Sequence, residues 1–157
     1  MKKLLVGVIL SLLLSVSAFA LPKCPGEKRN LATWKNCNGS YTAIDGHTYS
    51  GEFDSNGQYT GVGKLNNKGG IYEGEFLKNK FHGKGKQIIP NDDGSVKAIY
   101  EGEFFMGSWH GKGVLRSPDG AFIYDGEFQN YEMTGYGTLT FNGQSQTGNF
   151  KNGNFID

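Results

Sequence analysis

The sequence predicts an all-β protein: an elongated, twisted, single antiparallel meander of stacked β-hairpins. Three observations lead there. A five-residue pattern occurs four times, as Tyr49-Ser50-Gly51-Glu52-Phe53, Tyr72-Glu73-Gly74-Glu75-Phe76, Tyr100-Glu101-Gly102-Glu103-Phe104 and Tyr124-Asp125-Gly126-Glu127-Phe128. Each copy is followed by a second glycine signature, Gly61-Val62-Gly63, Gly83-Lys84-Gly85, Gly111-Lys112-Gly113 and Gly135-Tyr136-Gly137. Asn, Asp and Gly turns separate the two segments of each copy, as they do in hairpins. With 25 glycines in 157 residues and few aliphatic side chains, the chain needs an architecture in which the repeats share one buried face.

The chain opens on Met1-Lys2-Lys3, runs through an apolar stretch over residues 4–14 and closes on Ala18-Phe19-Ala20. This is the layout of a secretory signal peptide, with cleavage expected after Ala20 and export to a periplasm or out of the cell. The stretch is short for a bilayer of roughly 30 Å hydrocarbon thickness and ends in a cleavage-type Ala-x-Ala, which argues for a leader against an anchor. Loss of Lys2 and Lys3 leaves fourteen basic side chains against fifteen acidic ones, a formal charge of minus one. Nucleic acid requires a concentrated positive patch, so no nucleic-acid partner is expected.

Residues 21–46 read as an N-terminal cap. Cys37-Asn38-Gly39-Ser40-Tyr41, followed by Asp45-Gly46, has the form of the second half of a repeat with cysteine in place of the first glycine, and Trp34 is placed to pack at that end. In an exported chain Cys24 and Cys37 are expected to form a disulfide, which contributes on the order of 3 kcal/mol for a loop of this size. Residues 47–157 form the repeat array, with full copies starting near Tyr49, Tyr72, Tyr100 and Tyr124 and a partial copy from Gln146. The starts are separated by 23, 28, 24 and 22 residues. Only the second copy is long, and its surplus around residues 90–94 is expected to form an extended loop on one edge.

Tyr-x-Gly-Glu-Phe, then His82-Gly83-Lys84-Gly85 or His110-Gly111-Lys112-Gly113, then a turn such as Asp119-Gly120, resembles the membrane occupation and recognition nexus repeat, MORN, over residues 49–150. The resemblance implies an interaction module, often linked to membrane attachment and phospholipid binding, which in other proteins is joined to catalytic domains. Many such repeats carry a basic residue before His-Gly. Here Phe81 and Trp109 stand in that place, which removes charge that an anionic headgroup would need.

Strand alternation puts Tyr49, Gly51 and Phe53 on one face, with Tyr72, Gly74, Phe76, Tyr100, Gly102, Phe104, Tyr124, Gly126 and Phe128. Gly61, Gly63, Gly83, Gly85, Gly111, Gly113, Gly135 and Gly137 join them from the second strands. These columns read as structural, because glycine leaves room for rings over the backbone and lets the sheet curl. Tyr59, Phe81, Trp109 and Met133, two residues before the first glycine, share this face and form the candidate interaction surface wherever the curl leaves them uncovered. Leu65, Gln87, Leu115 and Leu139 follow in the same parity. The opposite face carries Glu52, Glu75, Glu103 and Glu127 with Lys84 and Lys112, an arrangement suited to cross-strand charge pairing of roughly 0.2 to 1 kcal/mol each.

No catalytic residue, cofactor or metal is expected. Equivalent carboxylates recur roughly 10 Å apart with no distinctive pocket between them. His82 and His110 start from backbones about 10 Å apart, too far to share a zinc ion, and His47 has no matching offset. The Gly-x-Gly pairs are not followed by a helix that would cradle a phosphate. Cap and repeats fill the mature chain, leaving no separate fold of about 100 residues to house chemistry. The expected function is therefore that of an exported, non-catalytic scaffold for protein–protein interaction in the cell envelope, with an unidentified protein partner. A peripheral membrane or phospholipid-binding module is the alternative, and an accessory subunit of an enzyme comes third. The incomplete final hairpin offers an edge strand for self-association.

Overall fold

In a computed structural model, which describes residues 20–26 and 32–157, the chain forms one eleven-stranded antiparallel sheet. The expected leader, Ala20 apart, lies outside the described residues. The strands are β1 (Cys37–Thr42), β2 (Thr48–Phe53), β3 (Tyr59–Asn67), β4 (Gly70–Leu77), β5 (Lys80–Pro90), β6 (Val96–Phe105), β7 (Ser108–Arg116), β8 (Phe122–Gln129), β9 (Glu132–Phe141), β10 (Gln144–Lys151) and β11 (Asn154–Phe155). Each pairs with the next in sequence order, so the meander expected from the repeats is the observed topology.

One glycine from each of ten consecutive strands lies in a single line across the sheet: Gly39, Gly51, Gly63, Gly74, Gly85, Gly102, Gly113, Gly126, Gly137 and Gly148. The line exists because each repeat tyrosine lies over a facing pair. A Cβ on Gly85 would stand 2.5 Å from the Tyr72 hydroxyl, and one on Gly113 2.5 Å from that of Tyr100. The four phenols donate to the carbonyls of Glu52, Glu75, Glu103 and Glu127 at 3.0, 2.8, 2.9 and 3.3 Å. Those carbonyls are turned toward the ring by a bulge, since the register slips between Gly51 and Glu52, and at the three equivalent steps. Opposite the bulge Gly83 takes φ 55°, a left-handed conformation that suits glycine. The Glu75 carboxylate covers it, with Oε1 accepting the Lys84 N–H at 2.9 Å.

The rings then build the core. Tyr49, Tyr72 and Tyr100 stack on Tyr59, Phe81 and Trp109 of their own repeats at 3.7, 3.8 and 4.6 Å. Each repeat tyrosine also meets the phenylalanine of the next copy edge-on: Tyr49 with Phe76 at 5.3 Å, Tyr72 with Phe104 at 4.9 Å, Tyr100 with Phe128 at 5.0 Å and Tyr124 with Phe150 at 4.9 Å. Such pairs are worth about 0.5–1.5 kcal/mol each beyond the area they bury. A single sheet thus brings its four repeat tyrosines, Tyr49, Tyr72, Tyr100 and Tyr124, to 0–1% exposure by wrapping its own aromatic face.

The second copy departs from expectation. Its surplus residues lengthen β5 and β6, through Ile88 opposite Ile99 and Ile89 opposite Ala98, and only a short turn is left at the tip. Two runs rich in β-branched and apolar residues continue the ladder more favourably than they would form a loop.

Both ends of the sheet are partly covered. Cys24 and Cys37 are joined by a disulfide, and Pro22 and Cys24 exchange backbone hydrogen bonds with Asn38 at 2.8 Å. Trp34 is 2% exposed and packs edge-on to Phe53 at 5.2 Å. Trp34 and Cys24 close over Gly39, where a later repeat would have its tyrosine. At the other end β11 pairs with Phe150 and Lys151, and Ile156 donates to the Asn149 carbonyl at 2.9 Å. The edge available for self-association is therefore narrower than the sequence suggests, comprising the exposed residues 144–147.

Replacement of Gly113 by Ala is expected to cost about 1–3 kcal/mol through overpacking against Tyr100. Gly69→Ala, which meets only a side-chain oxygen at 3.2 Å, is expected to stay within about 0.5 kcal/mol. Urea denaturation of the two variants measures the difference. Burial also pushes the Tyr49, Tyr72, Tyr100 and Tyr124 phenols above their ordinary range. Above about pH 10 the unfolded chain releases protons that the folded chain retains, so stability should fall as pH rises from there. Tyrosinate absorbance should appear together with loss of the sheet signal in circular dichroism; ionisation of these phenols in a sheet that stays folded would contradict this.

Candidate interaction surface

The quartet proposed from the sequence, three aromatic side chains and Met133, is bound into the core more tightly than an open recognition face would be. Tyr59 and Trp109 are each 9% exposed, while Phe81 and Met133 are half-buried against the same cluster. Their backbones are committed as well. The carbonyls of Tyr59, Phe81, Trp109 and Met133 accept the N–H groups of Asn79, Gly107, Tyr131 and Gly153 at 3.1, 2.8, 3.4 and 3.0 Å. Each bond ties a second strand to the turn of the following hairpin. These four positions thus connect repeats, and little of their surface is left for a partner.

Two polar partners of the quartet escaped sequence reasoning. Gln87 stands in a column otherwise filled by Leu65, Leu115 and Leu139, and its Oε1 accepts the Trp109 indole N–H at 2.9 Å. A lone amide in a leucine column, one repeat before the column's only indole, was the available signal. Tyr59 is the other ring of the quartet with a polar tip, and its hydroxyl bonds that of Tyr41. From Tyr41 the chain of bonds continues to His47 Nε2 at 3.0 Å and from His47 Nδ1 to Asp45 Oδ1 at 2.6 Å. The backbone N–H and imidazole of His47 hold the Asp45 carboxyl below its ordinary range. His47, which matches no other repeat, thus bonds the half-buried Tyr41 of the cap, and through it reaches the phenol of Tyr59 in the first repeat.

On the outer face the ion pairs differ from the expected set. Lys64 binds Glu73 at 2.8 Å and Lys86 binds Glu101 at 2.9 Å, with Arg116 3.8 Å from the same Glu101 oxygen. These use the acid before the strand glycine. Glu52, Glu75, Glu103 and Glu127, after it, lie over the bulge glycines Gly61, Gly83, Gly111 and Gly135. Lys84 and Lys112 sit opposite Glu103 and Glu127 in register, but the carboxylates turn to the backbone. His82 and His110 flank the Phe105 ring at 5.6 Å on each side. Among the described residues no group of three or more His, Cys, Asp or Glu side chains could hold a metal ion.

The same face exposes large apolar side chains: Val62 is 65% exposed, Tyr136 62% and Phe105 57%. Val62 and Tyr136 occupy the middle of their Gly-x-Gly segments, and Phe105 follows the buried Phe104, so all three point away from the aromatic core. They project from paired strands that hold them in place, a better platform for recognition than the buried quartet.

A family model described as MORN repeat matches residues 49–69, 72–94, 100–122 and 124–146, together more than half of the chain. Its windows open on the four tyrosines that lie over the glycine line. No curated protein matches the sequence.

Replacing Gln87 by Leu is expected to destabilise the protein by about 1–3 kcal/mol, because the Trp109 N–H is left unpaired in a largely buried site. Adding Trp109→Phe removes the orphan donor, so the double variant should lose less than the sum of the two single changes. A double-mutant cycle by chemical denaturation tests the pairing.

Proposed function

The chain belongs to the MORN repeat family, whose members are protein- and membrane-interaction repeats, and from that premise we propose that it is an exported, non-catalytic scaffold that docks a protein partner in the cell envelope through the outer face of its sheet. The observation that carries this reading is the exposure of Val62, Phe105 and Tyr136 on a surface otherwise covered by ion pairs and carboxylates. The three side chains stand on β3, β6 and β9, roughly 14 Å apart along the sheet, so they offer an extended partner separate apolar anchors within a polar surround. Export is supported by the leader pattern at residues 1–20 and by the Cys24–Cys37 disulfide, which suits an oxidising compartment.

The reading as a phospholipid-binding module has less support on this face. Lys64 and Lys86 are occupied by Glu73 and Glu101, and alternation of sign along the ladder offers no concentrated positive patch to anionic headgroups.

Cross-linking in the native envelope, read by mass spectrometry, should recover a protein joined to the outer face. Phe105→Ala combined with Tyr136→Ala is expected to reduce that capture about ten-fold or more. Because both side chains lie outside the core, unfolding free energy should change by no more than about 0.5 kcal/mol per site. Unchanged capture by the double variant rules out this face as the docking surface, and flotation with anionic vesicles in place of protein capture selects the lipid reading.

A further inference from the structure

A cleft of about 670 Å³ opens at the N-terminal end of the sheet, between the turn that joins β1 to β2 and the turn that joins β3 to β4. Its size lies within the roughly 300–1,000 Å³ range of small-ligand sites. Two other pairs of turns along this edge close on each other. Asn142 donates to the Ala121 carbonyl at 2.7 Å, and a Cβ on Gly70 would reach within 2.0 Å of the Ile88 carbonyl. The cleft therefore belongs to the first repeat and is no general feature of the array.

One wall is preorganised. Asp45 is held charged, so the neutral form of His47 carries its proton on Nδ1 and donates it to Asp45 Oδ1 at 2.6 Å. His47 Nε2 then accepts from Tyr41, whose oxygen accepts from Tyr59. The opposite wall carries Asn67 and Lys68, with Asn67 Oδ1 already accepting the Gly69 N–H at 2.8 Å, so that its amide nitrogen is left to donate. Leu65 contributes an apolar floor.

These groups discriminate between ligand classes. An anion would meet the Asp45 carboxylate, and a metal cation would meet Lys68 without the three ligands it needs. A flat aromatic ligand finds little ring to stack on in Tyr59, which is buried and already stacked on Tyr49 at 3.7 Å on one side. A neutral molecule with many hydroxyl groups fits, since each hydroxyl both donates and accepts, and one positive and one negative wall group balance. From this we infer that the cleft is a binding site for a neutral saccharide, with hydroxyls bonded by Asp45, Asn67 and Lys68 and a C–H face of the sugar ring on Leu65. The site shares no residue with the outer-face anchors Val62, Phe105 and Tyr136, so it stands or falls separately from the scaffold reading.

The test is a heteronuclear NMR titration of the mature, disulfide-bonded protein with neutral gluco-oligosaccharides and chito-oligosaccharides, with oligogalacturonate and chitosan oligomers as anionic and cationic controls. Saturable shifts confined to residues 45–47 and 65–69, from a neutral oligosaccharide at concentrations up to about 10 mM, support the site. Lys68→Ala should weaken that binding about ten-fold without touching the His47 hydrogen-bond chain, and Asp45→Asn should do the same. An unchanged spectrum of the outer face would show that the variants remain folded. Absence of localised shifts with every neutral oligosaccharide, tighter binding of a charged control, or equal affinity in Lys68→Ala would overturn the assignment.

Discussion

A tyrosine laid over two facing glycines, its hydroxyl given to a bulged carbonyl, is the contact on which the rest of this sheet depends. The ring needs both glycines, because a methyl group on either would stand within about 3 Å of its atoms. The hydroxyl needs the bulge, because in a regular ladder that carbonyl would bond the neighbouring strand. The bulge in turn needs a left-handed glycine, and that glycine is covered by the glutamate of the partner strand. Tyr72, Gly74, Gly85, Gly83 and Glu75 thus form one unit, and no member can change alone without leaving a clash, a strained backbone or an unpaired polar group.

Because the ring of each unit also stacks on its own second strand and meets the next repeat edge-on, the units are coupled along the sheet. Stability in such an array is a sum of local terms and nearest-neighbour terms, so the first and last units are the weak ones. The described structure treats its ends accordingly. At the start, Trp34 and Cys24 occupy the space over Gly39 that a tyrosine fills elsewhere. At the end, where Gln146 replaces the tyrosine, Phe155 packs on Phe150 at 5.3 Å and the main chain near Asp157 covers Gly148.

The fold class and the repeat were legible because they are periodic: Tyr-x-Gly-Glu-Phe and Gly-x-Gly return at nearly fixed spacing, and spacing alone distinguishes stacked hairpins from other all-β arrangements. The disulfide was legible because two cysteines close in sequence, after a leader-like opening, leave few other expected roles. Side-chain commitments were not legible in the same way. Alternation places Glu75 and Lys84 on the outer face, but it cannot tell that a bulge turns the carboxylate to the Lys84 backbone N–H instead of to a lysine side chain. It puts Trp109 on the aromatic face without saying that Tyr100 and Gln87 occupy it. Residues 90–94 read as an extended loop because Pro90 and the following Asn and Asp residues dominate the local signal, although Ile88, Ile89 and Ile99 continue the ladder beside them and leave only a short turn at the tip.

That difference bears on where binding can reside. On the inner face, the residues that replace the expected basic position, Phe81 and Trp109, are the stacking partners of Tyr72 and Tyr100, so changing them alters the core before it alters recognition. Selection for a ligand has more freedom where side chains have no neighbour to satisfy. The middle residue of Gly-x-Gly is such a place: it varies as Val62, Lys84, Lys112 and Tyr136 along a backbone whose glycines are fixed by the tyrosines on the other side. The first repeat offers another, in turns that do not close on each other. A sheet that concentrates its folding requirements on the aromatic face and in the glutamates over its bulges leaves the rest of the outer face, and the gap between its first turns, available for specificity.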